Sequence, residues 1–263
     1  MNNVYQFIKD HIKFMNIILR LAKFDYIVMF RDNELGMIWS FFNPLIQILT
    51  YYVVFGTGLR GAYTAEYPYF LWLISGIVPW FFISPTINKG SRSIVSKLKH
   101  VAKMNVKISI FPTITIVSNF YGHLMMLLIT VIIAFLYGHT PSVMLFYYLF
   151  ATLVFLIALN SLAASLIALV NDLANLISPI LRLNFWFLPI VWNISALDEN
   201  VRFLLQLNPI FYLVNGYRAS IIGEGIPYLI PYYDLYFWSI TLFLLYLGCN
   251  LLYRYRYVFY ENI

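Results

Sequence analysis

Charge is what this chain has least of. Only 11% of its 263 residues are Asp, Glu, Lys or Arg, against about 25% in an ordinary soluble domain. A water-soluble globular domain is excluded on that ground. Cysteine is nearly absent too: the single thiol, Cys249, lies in an apolar run and has no partner for an intramolecular disulfide, so it reads as a small packing residue. Acidic residues number 11, and all fall in termini, connections or the ends of apolar runs. Ion-driven carriers usually keep an ionisable group near mid-membrane, and none is placed there. The four histidines, His11, His100, His123 and His139, have no metal-ligand spacing. No paired carboxylates share a predicted helix face near a serine or histidine. The sequence contains no Gly-Lys dipeptide, hence no G-x-x-x-x-G-K-[ST] phosphate loop. The chain is expected to bind no metal, cofactor or ATP of its own.

Apolar sequence is what remains. Hydrophobic residues make up 62% of the chain and mean hydropathy is +0.77. Several runs reach the ~20 residues that a helix needs to cross ~30 Å of hydrocarbon. The expected fold is an all-α membrane protein with six transmembrane helices, at 37–58, 68–87, 109–137, 143–169, 173–193 and 231–252. One membrane domain, 1–263, would comprise an interfacial N-terminal segment (1–36), spans one to five (37–193), an extracellular re-entrant region (194–230), and span six with a cytoplasmic tail (231–263). The N-terminus has no short apolar core with a small-residue cleavage site, so insertion is expected to use internal segments. Five basic residues precede the first run, six lie in 88–108, and two follow the last run, whereas only Arg60, Arg202 and Arg218 fall on the opposite side. The positive-inside rule then places both termini and the 88–108 loop in the cytoplasm of a multi-pass plasma or inner membrane protein.

Residues 4–22 place Val4, Ile8, Ile12, Met15, Leu19 and Ala22 three or four apart, with Lys9, Asp10, Lys13, Asn16, Arg20 and Lys23 on the other face. That pattern predicts one helix lying in the headgroup layer. Between 194 and 230, two apolar-faced pieces are split at Asn208-Pro209, where Asn caps and Pro starts a helix. A pair of short re-entrant helices fits them, with Asn208, Pro209 and Arg218 at the turn region. In "ALNSLAASLIAL", Ser161, Ser165, Ala164 and Ala168 form small-xxx-small pairs suited to close packing within the subunit.

The loop "NKGSRSIVSKLKHVAKMN" (88–105) is basic throughout. Ile94, Val95, Leu98, Val101 and Ala102 follow a helical stripe, with Arg92, Lys97, Lys99 and Lys103 around it. It predicts a short amphipathic cytoplasmic helix. Two readings stay open: the charge only sets orientation and touches anionic lipid, or the helix docks a partner. Arg182 is the one basic residue inside a predicted span. It either snorkels to the headgroups or faces a hydrated passage. His123 suits a structural hydrogen bond to a neighbouring helix. Many aromatic residues fall at predicted interfaces, as membrane belts require, and others could stack on sugar faces.

"FRDNELGMIWSFFNPLIQILTYYVVFG" (30–56), "GIVPWFFISPTINKGSRSIVSKLKHVAKMNVKISIFP" (76–112) and "LNPIFYLVNGYRASI" (207–221) together resemble the ABC-2-type polysaccharide exporter permeases, in order and over most of the chain. "RLAKFDY", "VSKLKHVAKMN" and "SNFYGHLMMLL" are most similar to the branch that exports wall teichoic acid. One departure is Asn171-Asp172, where many relatives carry Arg-Asp, so no role of that arginine is carried over. The resemblance implies a homodimer of six-span subunits, with ATP and Mg on two separate ATP-binding cassette subunits. It implies a coupling helix at 91–103, carrying Arg92, Ile94, Val95, Lys97, Leu98, Lys99, Val101 and Lys103. The implied cargo is a lipid-linked anionic polymer of teichoic acid type, or an O-antigen or capsular polysaccharide, moved between leaflets. Lys23, Arg31, Trp39, Trp80 and Arg182 are the candidate contacts along its path or with lipid headgroups. Membrane lipids are expected partners and nucleic acid is not. Two other classes, an integral membrane enzyme acting on a glycan-lipid and an ATP-independent scramblase, would need a catalytic set or nucleotide-free transfer respectively.

Overall fold

A computed structural model describes residues 3–29, 31, 38–58, 68–101, 106–194, 197–223 and 225–261, without the side chains at 40, 41, 57, 58, 98–101, 260 and 261. Among the described residues every regular element is helical. In chain order these are α1 (Asn3–Lys13), α2 (Met15–Val28), α3 (Trp39–Tyr51) continuing into a wider π-type turn (Tyr52–Gly58), α4 (Tyr69–Gly90), α5 (Ser93–Val101), a tight turn (Ile108–Ile110) leading into α6 (Phe111–Leu136), and α7 (Met144–Leu169). A second tight turn (Asn171–Leu173) leads into α8 (Ala174–Phe187), followed by α9 (Glu199–Gln206), α10 (Pro209–Ile222), α11 (Tyr233–Arg254) and α12 (Arg256–Glu261).

Among the described residues, four stretches are long and apolar enough to cross a membrane: Tyr69–Gly90, Ile108–Leu136, Met144–Leu169 and Tyr233–Arg254. The stretch expected to span at 173–193 stops short. Its helix has 14 residues, roughly 21 Å at 1.5 Å per residue, less than the hydrocarbon thickness. Pro189 causes the stop: it brings no N–H, and Leu188 before it is extended at φ −93°, ψ 146°. The chain then folds into a turn in which Leu188, Ile190, Val191 and Ile194 are fully buried.

α4 sits at the centre, packed against α6, α7, α8 and α10. It is apolar on every side, as a helix surrounded by other helices must be. α10 is the second of the two short helices expected between 194 and 230. Asn208 does cap it, accepting from the Ile210 amide at 3.0 Å, with Pro209 in the first turn and Gly223 closing it at φ 80°. Yet Ile210–Arg218 are buried without a break, and α10 packs chiefly on α4 and α7. Its return is held by amide side chains: Asn215 donates to Ile226 O (2.9 Å) and accepts from Ile226 N (2.7 Å), and Gln206 does the same with Pro227 O (2.9 Å) and Leu229 N (2.7 Å). Four backbone groups of this non-helical return thus find side-chain partners where protein encloses it.

The N-terminal segment differs from the single helix expected over 4–22. It breaks at Phe14 into α1 and α2. Ile8, Ile12, Met15 and Leu19 are exposed, whereas Phe7, Asp10, Ile18 and Ala22 face the bundle. The segment has two apolar stripes, and the second, including Phe7 and Ile18, is the one that docks. Asp10 is buried rather than solvated because Gln6 (2.9 Å), Ser109 (3.3 Å) and Tyr253 (2.7 Å) all donate to its carboxylate.

Two hydrophobic cores result. The larger joins α4, α7, α10 and α11 with the 188–194 turn. The smaller gathers Phe7, Ile18, Ile94, Phe111, Ala164, Cys249, Leu252 and Phe259 at the end that holds the basic loop. α7 and α11 run together along their length, and Gly248 permits it: a Cβ there would lie 2.7 Å from the Leu162 amide nitrogen. Ser161 and Ser165 are buried on this seam, so the small residues of α7 serve packing within the chain.

Two outcomes follow. Gly248→Val should lower stability by about 1–3 kcal/mol through overpacking against backbone, read by thermal unfolding in detergent. His11 donates from Nδ1 to Phe7 O (2.8 Å), and its Nε2 accepts from Thr113 Oγ1 (2.7 Å) in the neutral ring. Burial lowers its pKa, against opposing contributions from the Phe7 carbonyl and Asp10. An undocked α1 therefore takes up a proton before a docked one does. Docking of α1 should hold above pH ~6.5 and weaken as pH falls below that value. Amide exchange in α1 should rise between pH 7.5 and 5.5, and His11→Gln should remove the dependence.

Candidate functional site

α3 and α4 are flanked by two clefts. The first, of 360 Å³, lies between α3, α4 and α8. Gln47, Ser84, Asn88, Ser178 and Arg182 supply its polar lining, and Tyr51, Trp80, Phe185 and Trp186 supply aromatic walls. Phe185 packs its ring at 5.3 Å from Tyr51 and 5.9 Å from Trp80. Ser178 donates to Asn88 Oδ1 at 3.4 Å. No acidic residue is among the described residues lining it. Neutral amides and hydroxyls with flat rings are groups that hydrogen-bond and stack on sugars, and one guanidinium adds a site for phosphate.

The second cleft, of 450 Å³, lies between α2, α3, α4 and α6, and is lined by Trp39, Asn43, Lys89, Asn119 and His123 among others. His123 stacks on Phe82 at 4.6 Å and shares a 3.1 Å hydrogen bond with the Tyr217 hydroxyl of α10. That is the structural bond to a neighbouring helix expected from sequence. Lys89 Nζ lies 3.5 Å from the Met29 sulfur.

The structure therefore brings Trp80 and Arg182 into one cleft and puts Trp39 in the other. Lys23 and Arg31 are exposed and line neither. Only two residues, Ser91 and Arg92, separate α4 from α5, so the loop helix follows directly on the wall that the clefts share. Ile94 is buried and Val95 is 39% exposed, so α5 anchors with one residue and presents the next. Arg92 donates from Nη2 to Ala174 O at the start of α8 (2.7 Å). Lys97 forms an ion pair with Asp25 of α2. α5 is thus bonded to a wall of each cleft. Leu98, Lys99 and Val101 lie where side chains fall outside the described residues, and Lys103 lies outside them altogether. Among the described residues, no group of three His, Cys, Asp or Glu could hold a metal ion.

Sequence reasoning missed the role of Arg218. It placed this residue in the re-entrant turn region with no partner named, and the structure buries it fully inside α10. Its guanidinium lies 3.7 Å from the Trp72 ring centroid and donates to Pro189 O at 2.6 Å. Gly76 leaves the room: a Cβ there would be 2.2 Å from Arg218 Nη2. The break in α8 frees backbone carbonyls, and Arg218 and Tyr69, which donates to Val191 O at 3.0 Å, take two of them. A basic residue in an otherwise apolar helix, with Leu-Pro ending another, was the signal available.

A bundle of apolar helices with an acid-free polar cleft, joined to an amphipathic loop helix, is an architecture suited to a membrane transporter subunit. The comparison with protein families agrees: residues 17–222 match the ABC-2 type transporter family, and the chain belongs to it. Among curated proteins it is similar to the "O-antigen export system permease protein RfbA" of Myxococcus xanthus, at 25% identity over 225 residues, covering 84% of this chain and 85% of that protein. Two Klebsiella pneumoniae proteins of the same name are 22% and 23% identical, covering 81% of this chain and 83% of each.

The Arg218 arrangement makes a quantitative prediction. Gly76→Ala and Arg218→Met should each cost about 1–3 kcal/mol, the first by collision and the second by leaving Pro189 O unpaired. The double variant should lose less than the sum, with a coupling of about 0.5–3 kcal/mol, measured by thermal unfolding of the four proteins.

Proposed function

We propose that this chain is the permease subunit of an ATP-driven exporter for a lipid-linked polysaccharide, acting as two copies with two separate ATP-binding subunits. The observation that carries this reading is its similarity, over more than four fifths of its length, to relatives named as O-antigen export permeases. The cleft beside α3, α4 and α8 supports it. Trp80 and its aromatic neighbours would stack on sugar rings, Gln47, Ser84 and Asn88 would bond hydroxyls, and Arg182 would meet phosphate. Arg182 suits any phosphate that such a lipid-linked polymer carries, so it does not choose between a teichoic acid and an O-antigen. The likeness of "VSKLKHVAKMN" and "SNFYGHLMMLL" to the teichoic acid branch keeps that polymer in view beside the O-antigen.

In this proposal the first crossing is α3 with its π-type turn. The fifth is α8 completed by the buried 188–194 turn, which gives six crossings and puts both termini on the basic, cytoplasmic side. α5 is the docking helix for the ATP-binding subunit. Exposed Val95 and Arg92, with half-buried Lys97, supply an apolar contact inside a basic rim. A push on α5 reaches α8 through the Arg92 bond and α2 through Lys97–Asp25.

Reconstitution of the chain with its ATP-binding subunit in proteoliposomes tests both parts. Combined Val95→Asp and Lys97→Glu should cut assembly and ATP hydrolysis at least about tenfold, equivalent to loss of roughly 1.4 kcal/mol of interface. Unchanged hydrolysis would remove α5 from the interface. Arg182→Gln should slow transfer of the lipid-linked polymer, and comparing teichoic acid with O-antigen substrates decides between them. Transfer by the lone chain without nucleotide would instead indicate a scramblase, and covalent change of the glycan an enzyme.

A further inference from the structure

A third cleft, of 290 Å³, opens at the end of the molecule that carries the basic loop. Its walls come from α1, the turn before α6, and the corner between α11 and α12, elements far apart in sequence. It belongs to neither cleft of the candidate transport path. We propose that it binds the phosphate headgroup of an acidic phospholipid in the leaflet facing that end.

Its lining has the chemistry for this. Lys107 and Arg256, both exposed, converge on it from different elements. Arg256 lies over the Tyr257 ring at 4.6 Å and spends one N–H on the Tyr257 hydroxyl at 2.8 Å. The remaining guanidinium donors can bracket a phosphate. Among the described residues lining the cleft, Asp10 is the sole acid. It is 4% exposed and already accepts from Gln6, Ser109 and Tyr253. Two cations thus face one carboxylate whose charge is spread over three donors. The volume falls just below the ~300–1,000 Å³ of pockets that enclose a whole drug-sized ligand, which suits a headgroup whose tails stay in the bilayer. Depth agrees as well: α1, which forms one wall, leaves Ile8 and Ile12 exposed, as a helix seated in the headgroup layer does. A charge that served orientation alone would need neither concavity nor partners from both ends of the chain.

Each cation near an anionic surface contributes about fivefold in affinity, or roughly thirtyfold for the pair. The test is native mass spectrometry of the purified full chain, titrated in detergent with phosphatidylglycerol, phosphatidylcholine or inorganic phosphate. One phosphatidylglycerol should be retained about thirtyfold more strongly than phosphatidylcholine. Lys107→Gln with Arg256→Gln should abolish that preference. Lys107→Arg with Arg256→Lys should preserve it, and so should Lys13→Gln with Arg20→Gln, which alters exposed cations outside the cleft. Because the charge-preserving pair alters the same positions, a folding defect is separated from lost recognition. Equal retention of both lipids by the native chain, or unchanged preference in the Gln pair, overturns the proposal. Displacement of phosphatidylglycerol by millimolar inorganic phosphate would also overturn it, by assigning the cleft to a free anion.

Discussion

The buried guanidinium of Arg218 is the contact on which the bundle is organised. An arginine inside an apolar helix is costly unless its donors and its flat face are both used. Here Trp72 covers the face and Pro189 O takes a donor. That carbonyl is free only because a proline ends α8 early. The guanidinium fits only because position 76 has no side chain. Three local irregularities, each unfavourable alone, therefore satisfy one another across α4, α8 and α10. Close seating of α10 on α4 depends on this, as does the buried turn that follows α8.

Most of the elements were legible from hydrophobic runs, because a helix that crosses a bilayer must be apolar for its whole length. Four of the six expected spans appear as helices of sufficient length and apolarity. The helix of the fifth ends earlier than expected, at Leu188-Pro189, where hydropathy stays high while the backbone cannot remain helical. α10 was read as half of a short re-entrant pair because its length is wrong for a span, and length alone does not say which helices enclose it. The N-terminal segment misled for a different reason. It carries two apolar stripes, and periodicity shows that stripes exist without showing which one meets protein. Asp10 belongs to the same class of error, since the donors that make its burial tolerable lie at Ser109 and Tyr253, remote in sequence.

The candidate transport cleft was only partly legible. Trp80 and Arg182 stood out as an interfacial aromatic and a lone cation. The neutral groups beside them, Gln47, Ser84, Asn88 and Ser178, carry no motif and became visible only once three helices placed them together. The basic loop was the reverse case: its stripe and its charge were plain, while its ties to Ala174 and Asp25 were not. In the exporter proposed here, those ties matter more than the charge. They connect one short helix to the walls of two separate clefts.

The seat of α1 also has a bearing on how the chain is made. Asn3 donates to Asn250 at 2.8 Å, and Asp10 accepts from Tyr253. α1 thus finds two of its partners in α11, 247 and 243 residues further along the chain. During synthesis α1 has only the membrane surface to lie on while the other helices insert, since domains and segments assemble in the order in which their contacts become available. Its exposed Ile8 and Ile12 suit it to that wait. Full docking of α1 therefore waits until α11 has been made and inserted.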